Sequence, residues 1–333
     1  MVFIYFILAA AITVYAAMKL STYADVISEK STMSGMLVGT VLLAGATSLP
    51  EVTTSVSAVM INNPDIAIGN MLGSNLFNIF ILAMFDLFYR QKRLFNEANR
   101  DHLYTAGLGL MLTLVTMIAL IVRIDFTILG IGIDALLIAV LYGIGIYYIG
   151  KRPQQPAVER EAAHEAVQEV GASATSSITV KRAVIGFVIA ALVIMAAGTA
   201  LSVLGDQIAV VTGLGSSFVG SFLIAATTSL PEAVAVFVAL KLGNVNLAFG
   251  SILGSNIFNM LIIAMSDVFY RNGSILADVS ASHLVTAIGI TILSVLVMYT
   301  LLRKDVTSKF RYVLPSVLVV LVYFASSYFI FIG

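Results

Sequence analysis

The chain has 333 residues, of which 59% are hydrophobic and 11% charged, with a formal net charge of zero. Soluble globular proteins carry about 25% charged residues, so this composition excludes a water-soluble domain, and the neutral balance argues against a nucleic-acid surface. Cysteine is absent, which removes disulfides, thiolate metal sites and thiol nucleophiles.

Ten apolar stretches follow in chain order, roughly 1–20, 33–60, 66–85, 102–122, 126–149, 183–205, 214–240, 247–266, 283–302 and 312–332. A helix needs about 20 apolar residues to cross a bilayer core. The run from Met1 has no basic leader region and reads as the first membrane helix. The expected fold class is therefore all-α integral membrane, with ten transmembrane helices. Between the fifth and sixth lies 151–182, a stretch rich in Pro, Ala, Glu and Ser that reads as a linker, with 159–170 as a short surface helix. It divides the chain into 1–150, 151–182 and 183–333. Sixteen of the eighteen Lys and Arg residues fall in the loops after the odd-numbered spans; Arg123 and Arg271 are the exceptions. Basic loops stay in the cytoplasm, so both termini are expected outside and the linker inside a plasma membrane.

The two halves repeat one another. An offset of 181 superposes Asp25 on Asp206, "TSLPE" at 47–51 on "TSLPE" at 228–232, and "GSNLFN" at 73–78 on "GSNIFN" at 254–259. It continues through Asp86, Tyr89, Arg90 and His102, which match Asp267, Tyr270, Arg271 and His283. Five spans per half is an odd number, so the second copy is expected upside down. Inverted repeats with broken helices at matching positions mark secondary transporters, whose ion sites lie at the midplane.

The chemistry sits at the breaks, in spans 2 and 7. Pro50 and Pro231 each lack an N–H and clash with the carbonyl four residues back, which frees carbonyl oxygens in mid-membrane. Thr47, Ser48 and Glu51 share one helix face, as do Thr228, Ser229 and Glu232. Ser74 with Asn78, and Ser255 with Asn259, lie four apart on spans 3 and 8. The small-residue patterns "GNMLG" (69–73) and "GSILG" (250–254) just before them allow close helix approach. The set comprises hydroxyls, amides, carbonyls and two carboxylates, a hard-cation set that suits calcium. Two glutamates with no Lys or Arg in the matching spans are costly in lipid. One calcium, two sodium ions or protons would neutralise them.

Blander roles stand beside these. Both glutamates could be protonated structural groups, and the Ser and Asn residues interhelical glue. Asp134 has no acidic counterpart and reads as lying near the outer end or bonding a hydroxyl. Asp86 and Asp267 read as solvated span ends, His102 and His283 as interfacial residues, and the Met and Phe side chains as packing or lipid-facing groups. An intramembrane hydrolase would need a base, and no His shares a span with the motif serines.

At "GATSLPE…GSNLFN" and "ATTSLPE…GSNIFN" the sequence resembles the calcium/cation antiporter superfamily, in its prokaryotic sodium/calcium exchanger branch, where these are the two alpha-repeats. The resemblance implies alternating access around four adjacent cation sites, with calcium and sodium as transported ions and no cofactor. Glu51 and Glu232 would be the central ligands. Thr47, Ser48, Thr228, Ser229, Ser74, Ser255, Asn78 and Asn259 would complete the shell, with the carbonyls of Ala44 and Ala225. Spans 1 and 6 would slide as a pair, and the transport unit would be a monomer in the lipid bilayer. Some potassium-dependent members carry aspartate where Asn259 stands, so neutral Asn78 and Asn259 favour potassium independence. The short linker leaves no room for the calcium-sensing domains of animal relatives. Proton/calcium exchange is the alternative within the superfamily, manganese and magnesium are further candidate substrates, and a passive cation channel is the alternative outside it.

Overall fold

The computed structural model describes residues 1–30, 48–89, 93–151, 178–241, 243–303, 306 and 308–332, without the side chains of 21, 24, 25 and 28–30. The chain forms α1 (Val2–Lys30), α2 (Leu49–Met60), α3 (Pro64–Phe88), α4 (Leu94–Glu97), α5 (His102–Val122), α6 (Ile133–Gly150) and α7 (Val180–Thr212). It continues with α8 (Ser216–Thr228), α9 (Leu230–Lys241), α10 (Val245–Phe269), α11 (Ile275–Asp278), α12 (His283–Leu302) and α13 (Lys309–Ile332). A hairpin of β1 (Thr127–Ile128) and β2 (Ile131–Gly132) joins α5 to α6.

Eight of these helices are long and apolar enough to span a bilayer, and α8 with α9, bent by 41° at Ser229, makes a ninth. The chain is a multi-pass membrane protein. Of the expected second span the structure describes α2; residues 33–47, which include Ala44 and Thr47, lie outside the described residues, as does 152–177 of the expected linker.

The sequence repeat is visible in the element bounds. The offset of 181 carries Leu49–Met60 onto Leu230–Lys241, Pro64–Phe88 onto Val245–Phe269, and Leu94–Glu97 onto Ile275–Asp278. Equivalent asparagines start the two central helices: the Asn63 side chain accepts from the Ile66 N–H (3.3 Å) and Asn244 from Leu247 (2.9 Å), satisfying donors that a helix start leaves open. The apolar stretches of α3 and α10 are 67% and 61% buried, against 11% for α6, so these two helices form the centre. Leu72, Leu76, Ile79, Ile252 and Met260 fill the core between and around them. The outer helices turn side chains such as Ile189, Leu192, Leu321 and Phe324 outward, as lipid requires. Helices α1 and α7 pack along each other around a separate small core of Ala16, Ala17, Leu20, Ala190 and Ile194.

The residues expected at solvated span ends are instead buried. Asp267 accepts from the Ile275 N–H (2.7 Å) and the Gly132 N–H (2.6 Å). Asp86 accepts from the hydroxyls of Tyr312 and Ser316 (2.6 Å) and from the backbone of Leu94 and Phe95. The reason is local: a four-residue helix follows each aspartate, and its open N–H groups need an acceptor. The two histidines, which open α5 and α12, each have a polar partner. His283 is fully buried with Nε2 on Asp65 (2.9 Å), and His102 bonds Asn246 beside the Phe249 ring. Asp134 accepts the Ser274 hydroxyl, 2.9 Å from each carboxylate oxygen, in line with a role in bonding a hydroxyl.

Helix α3 approaches α8 backbone to backbone. A Cβ on Gly73 would sit 2.2 Å from the Ser221 carbonyl oxygen, and one on Gly220 would sit 2.8 Å from that of Ile66. The same region of α8, Val219–Ile224, is wound as a π-helix. Such bulges are rare and concentrate at functional sites. The equivalent contact of Gly254 in the other half would involve residues 36–40, outside the described residues. Gly73→Ala should lower the thermal unfolding midpoint of the detergent-solubilised protein, at an overpacking cost of about 1–3 kcal/mol. Gly143→Ala, where no described atom lies within 4 Å of the new methyl, should leave the midpoint unchanged or raise it. Equal midpoints for the two variants would contradict the close crossing.

Candidate functional site

Each Leu-Pro-Glu triplet opens a helix inside the bundle. In α9, Leu230 and Pro231 occupy the first two positions and Glu232 the third; in α2 the places belong to Leu49, Pro50 and Glu51. Proline suits a helix start because its missing N–H would be unpaired there anyway. Its other effect falls on the preceding turn, where Pro231 offers no N–H to the carbonyl of Thr227. Glu51 and Glu232 each engage their own backbone N–H, and the positive end of the new helix favours a carboxylate in its first turn. The preceding segment α8 ends at Thr228, so its negative C-terminal end points at the same place.

Both glutamates are 1% exposed. They lie close enough for Glu232 to repel the charge of Glu51, whose carboxylate also faces the Thr228 hydroxyl. Among the described residues the one ion pair is His283–Asp65, so neither glutamate has a cationic partner there.

The neutral candidates lie on elements that pack against those of this pair. Helix α3 packs against α2, α8, α9 and α10, and α10 packs against α2 and α9. Ser74 and Asn78 on α3, Ser255 and Asn259 on α10, and Ser48, Thr228 and Ser229 at the breaks are all buried. Six oxygens of this set have no hydrogen-bond partner among the described residues: Glu51 Oε2, Glu232 Oε2, Ser74 Oγ, Ser229 Oγ, Asn78 Oδ1 and Asn259 Oδ1. Native interiors leave only a few such atoms per hundred residues, and each costs about 1–3 kcal/mol. Six acceptors from the contacting elements of one site are what a cation shell needs. They require a positively charged ligand, a proton or water.

Not every expected ligand is free. The Ala225 carbonyl accepts from the Ser229 N–H (3.0 Å), so it is engaged within its helix in this conformation. Ala44 and Thr47 lie outside the described residues. Three asparagines escaped the sequence reading. Asn70 is fully buried, accepts from Thr228 (3.1 Å) and donates to Ser55 (3.2 Å), fixing the Thr228 hydroxyl. Asn75 and Asn256 bridge α3 and α10. The signal for the latter two was their presence at equivalent places in both "GSN" triplets; Asn70 matches Ser251 and gave no such signal.

With this geometry in hand, comparison with known proteins gives a consistent picture. A family model described as "Sodium/calcium exchanger protein" matches residues 1–150 and 182–332. Inner membrane protein YrbG of Escherichia coli (strain K12) is 29% identical over 259 residues, spanning 76% of this chain and 74% of that one. Among solved structures, the H+/Ca2+ exchanger CAX superposes with a TM-score of 0.65 at 16% identity, over 99% of this chain and 89% of that one. The sodium-calcium exchanger NCX_Mj gives 0.55 at 20% identity over 98% of both chains. At these identities the two structures share the fold.

The site makes a direct demand on its carboxylates. Glu51→Gln or Glu232→Gln keeps the shape and removes half of the charge. Calcium-induced thermal stabilisation should then require about 100-fold more calcium, as expected when one partner of a buried charged interaction is lost, while the ion-free protein remains folded. Stabilisation at wild-type calcium levels in either variant would remove that glutamate from the site.

Proposed function

Because the chain belongs to the sodium/calcium exchanger family, within the calcium/cation antiporter superfamily, we propose that it exports calcium from the cell in exchange for sodium by alternating access. The observation that carries this reading is the set of six buried oxygens, two from the glutamates and four from neutral side chains, that have no hydrogen-bond or cationic side-chain partner among the described residues. Two negative charges are balanced by one calcium or by two sodium ions, and either load supplies what the oxygens lack. A site satisfied by either ion but left costly when empty returns to the other face only when loaded, which is the requirement for obligate exchange.

The ligand set of the proposal is Glu51, Glu232, Thr47, Ser48, Thr228, Ser229, Ser74, Ser255, Asn78 and Asn259, with the carbonyls of Ala44 and Ala225 contributing in a conformation that releases them. The wider architecture follows. Residues 33–47 with α2 make the second span, giving ten, and the second repeat is inverted. Both termini face outward, the 151–182 linker is cytoplasmic, and the membrane is the plasma membrane. Helices α1 and α7 slide together against the rest. Sodium is favoured over protons as counter-ion because most of the shell is neutral hydroxyl and amide oxygen, which a proton would not need.

Proteoliposomes of the full chain test the coupling. Calcium uptake should follow an outward sodium gradient and remain unchanged by a pH gradient of equal size. Uptake driven by the pH gradient instead would make the protein a proton/calcium exchanger, and downhill calcium flux without any counter-ion would make it a channel.

A further inference from the structure

Helices α3 and α10 cross where the two "GSN" triplets meet, and the bonds there carry a chain of logic. Asn75 Nδ2 donates to the backbone carbonyl of Asn256 (3.1 Å), and Asn256 Nδ2 donates to that of Asn75 (3.3 Å). A backbone carbonyl can only accept. The end of each amide that faces it must therefore be nitrogen, and the other end, Oδ1, must be an acceptor. Asn259 Nδ2 donates to Asn75 Oδ1 (3.0 Å), and Asn78 Nδ2 donates to Asn256 Oδ1 (3.0 Å). So the amides of Asn78 and Asn259 also have one orientation each. The ends left over are Asn78 Oδ1 and Asn259 Oδ1, buried and without a partner among the described residues.

We propose that Asn75 and Asn256 are positioning residues that set the polarity of Asn259 and Asn78, so that both ligands present a carbonyl oxygen to the cation and never an amide nitrogen. The inference rests on reading the central site as a cation site. Its force comes from two effects with the same sign. Turning Asn259 over would aim an N–H pair at the cation, and would also set Asn259 Oδ1 against Asn75 Oδ1 with no proton between them. Asn78 faces the same double cost at Asn256. Because each bond joins one half of the chain to the other, neither repeat orients its own ligand. The orientation holds only while α3 and α10 keep their register, which makes them one body throughout the transport cycle.

The argument extends to charge. An aspartate at 259 would place a second oxygen, in place of the donating nitrogen, against Asn75 Oδ1. That arrangement is unfavourable unless Asn75 is removed or the carboxyl carries a proton. An aspartate also needs no orienting, since its two oxygens are alike.

The test is therefore a double-mutant comparison in the full-length protein, read both as calcium flux in proteoliposomes and as calcium-induced thermal stabilisation in detergent. Asn75→Ala should raise the calcium concentration for half-maximal effect by about tenfold, one ligand's worth of affinity. In an Asn259→Asp background the same Asn75→Ala change should cost nothing, or improve on Asn259→Asp alone. A residue that merely packs two helices would cost the same in both backgrounds, and that result would overturn the inference. An unchanged calcium requirement for Asn75→Ala in the wild-type background would overturn it as well. Failure of the underlying reading looks different: Glu51→Gln would then leave calcium stabilisation and flux untouched, whatever the asparagine variants do.

Discussion

The rest of the structure depends on one unsatisfied constraint: two carboxylates are buried in a membrane protein, and no side-chain cation among the described residues balances them. Several unusual local features gather on the elements around that pair. The prolines start helices in mid-bundle. The π-helical turn of α8 and the glycines of α3 bring two backbones into contact, and Asn70 of α3 meets the Thr228 hydroxyl. A bundle built for stability alone would fill this place with leucine and alanine, since a buried polar group is worth having only when its bonds are made. Here, among the described residues, several are left unmade, on oxygens of the kind a cation would satisfy.

A second regularity runs through the polar contacts. Bonds that matter to the geometry cross between the halves and interchange under the sequence offset. Asn75 bonds Asn256 and Asn256 bonds Asn75. His283 of the second half meets Asp65 of the first, while His102 of the first meets Asn246 of the second. Asp267 takes a bond from Gly132 at the start of α6, and Asp86 takes bonds from Tyr312 and Ser316 near the start of α13. These contacts join equivalent positions of the two sequence repeats, so that each half completes the other. The two halves differ at the histidine pair in the partner: His283 meets a carboxyl group, Asp65, and His102 an amide, Asn246.

How much of this the sequence carried depends on the kind of residue. Proline, glutamate and the small-residue spacing act through the backbone and through charge, so they can be interpreted without coordinates; Pro50 and Pro231 stand at helix starts, and Gly73 stands at a close helix approach, as that interpretation has it. Asp86 and Asp267 were misplaced because a polar residue at the end of an apolar run looks solvated. Only the tertiary structure reveals the donors that bury it. Asn70 was missed for a related reason. Its partners, Ser55 and Thr228, are distant in sequence and lie on different helices, and a lone asparagine among apolar residues has no periodicity to betray it.

The same contacts bear on how such a bundle can move. Helices α1 and α7 have their own small core, made mostly of alanine, and a smooth surface resists sliding less than interdigitated leucines do. Among the described residues three side-chain hydrogen bonds tie α7 to α2 and to the start of α3: Ser202 to the Thr54 carbonyl (2.6 Å), Ser57 to Thr199 (2.8 Å) and Asn63 to Asp206 (2.6 Å). Neutral bonds of this kind contribute about 0.5–1.5 kcal/mol each and a charged one about 1.5–3. Exchanging them for a shifted set costs a few kcal/mol, a barrier that thermal motion crosses on the microsecond to millisecond scale of collective helix movements. The asparagine bonds between α3 and α10 are a different case. They orient ligands, so breaking them would spoil the site together with the packing. The bonds that must change and the bonds that must not therefore fall on different helix pairs. That division lets one bundle hold an ion firmly and still pass it across the membrane.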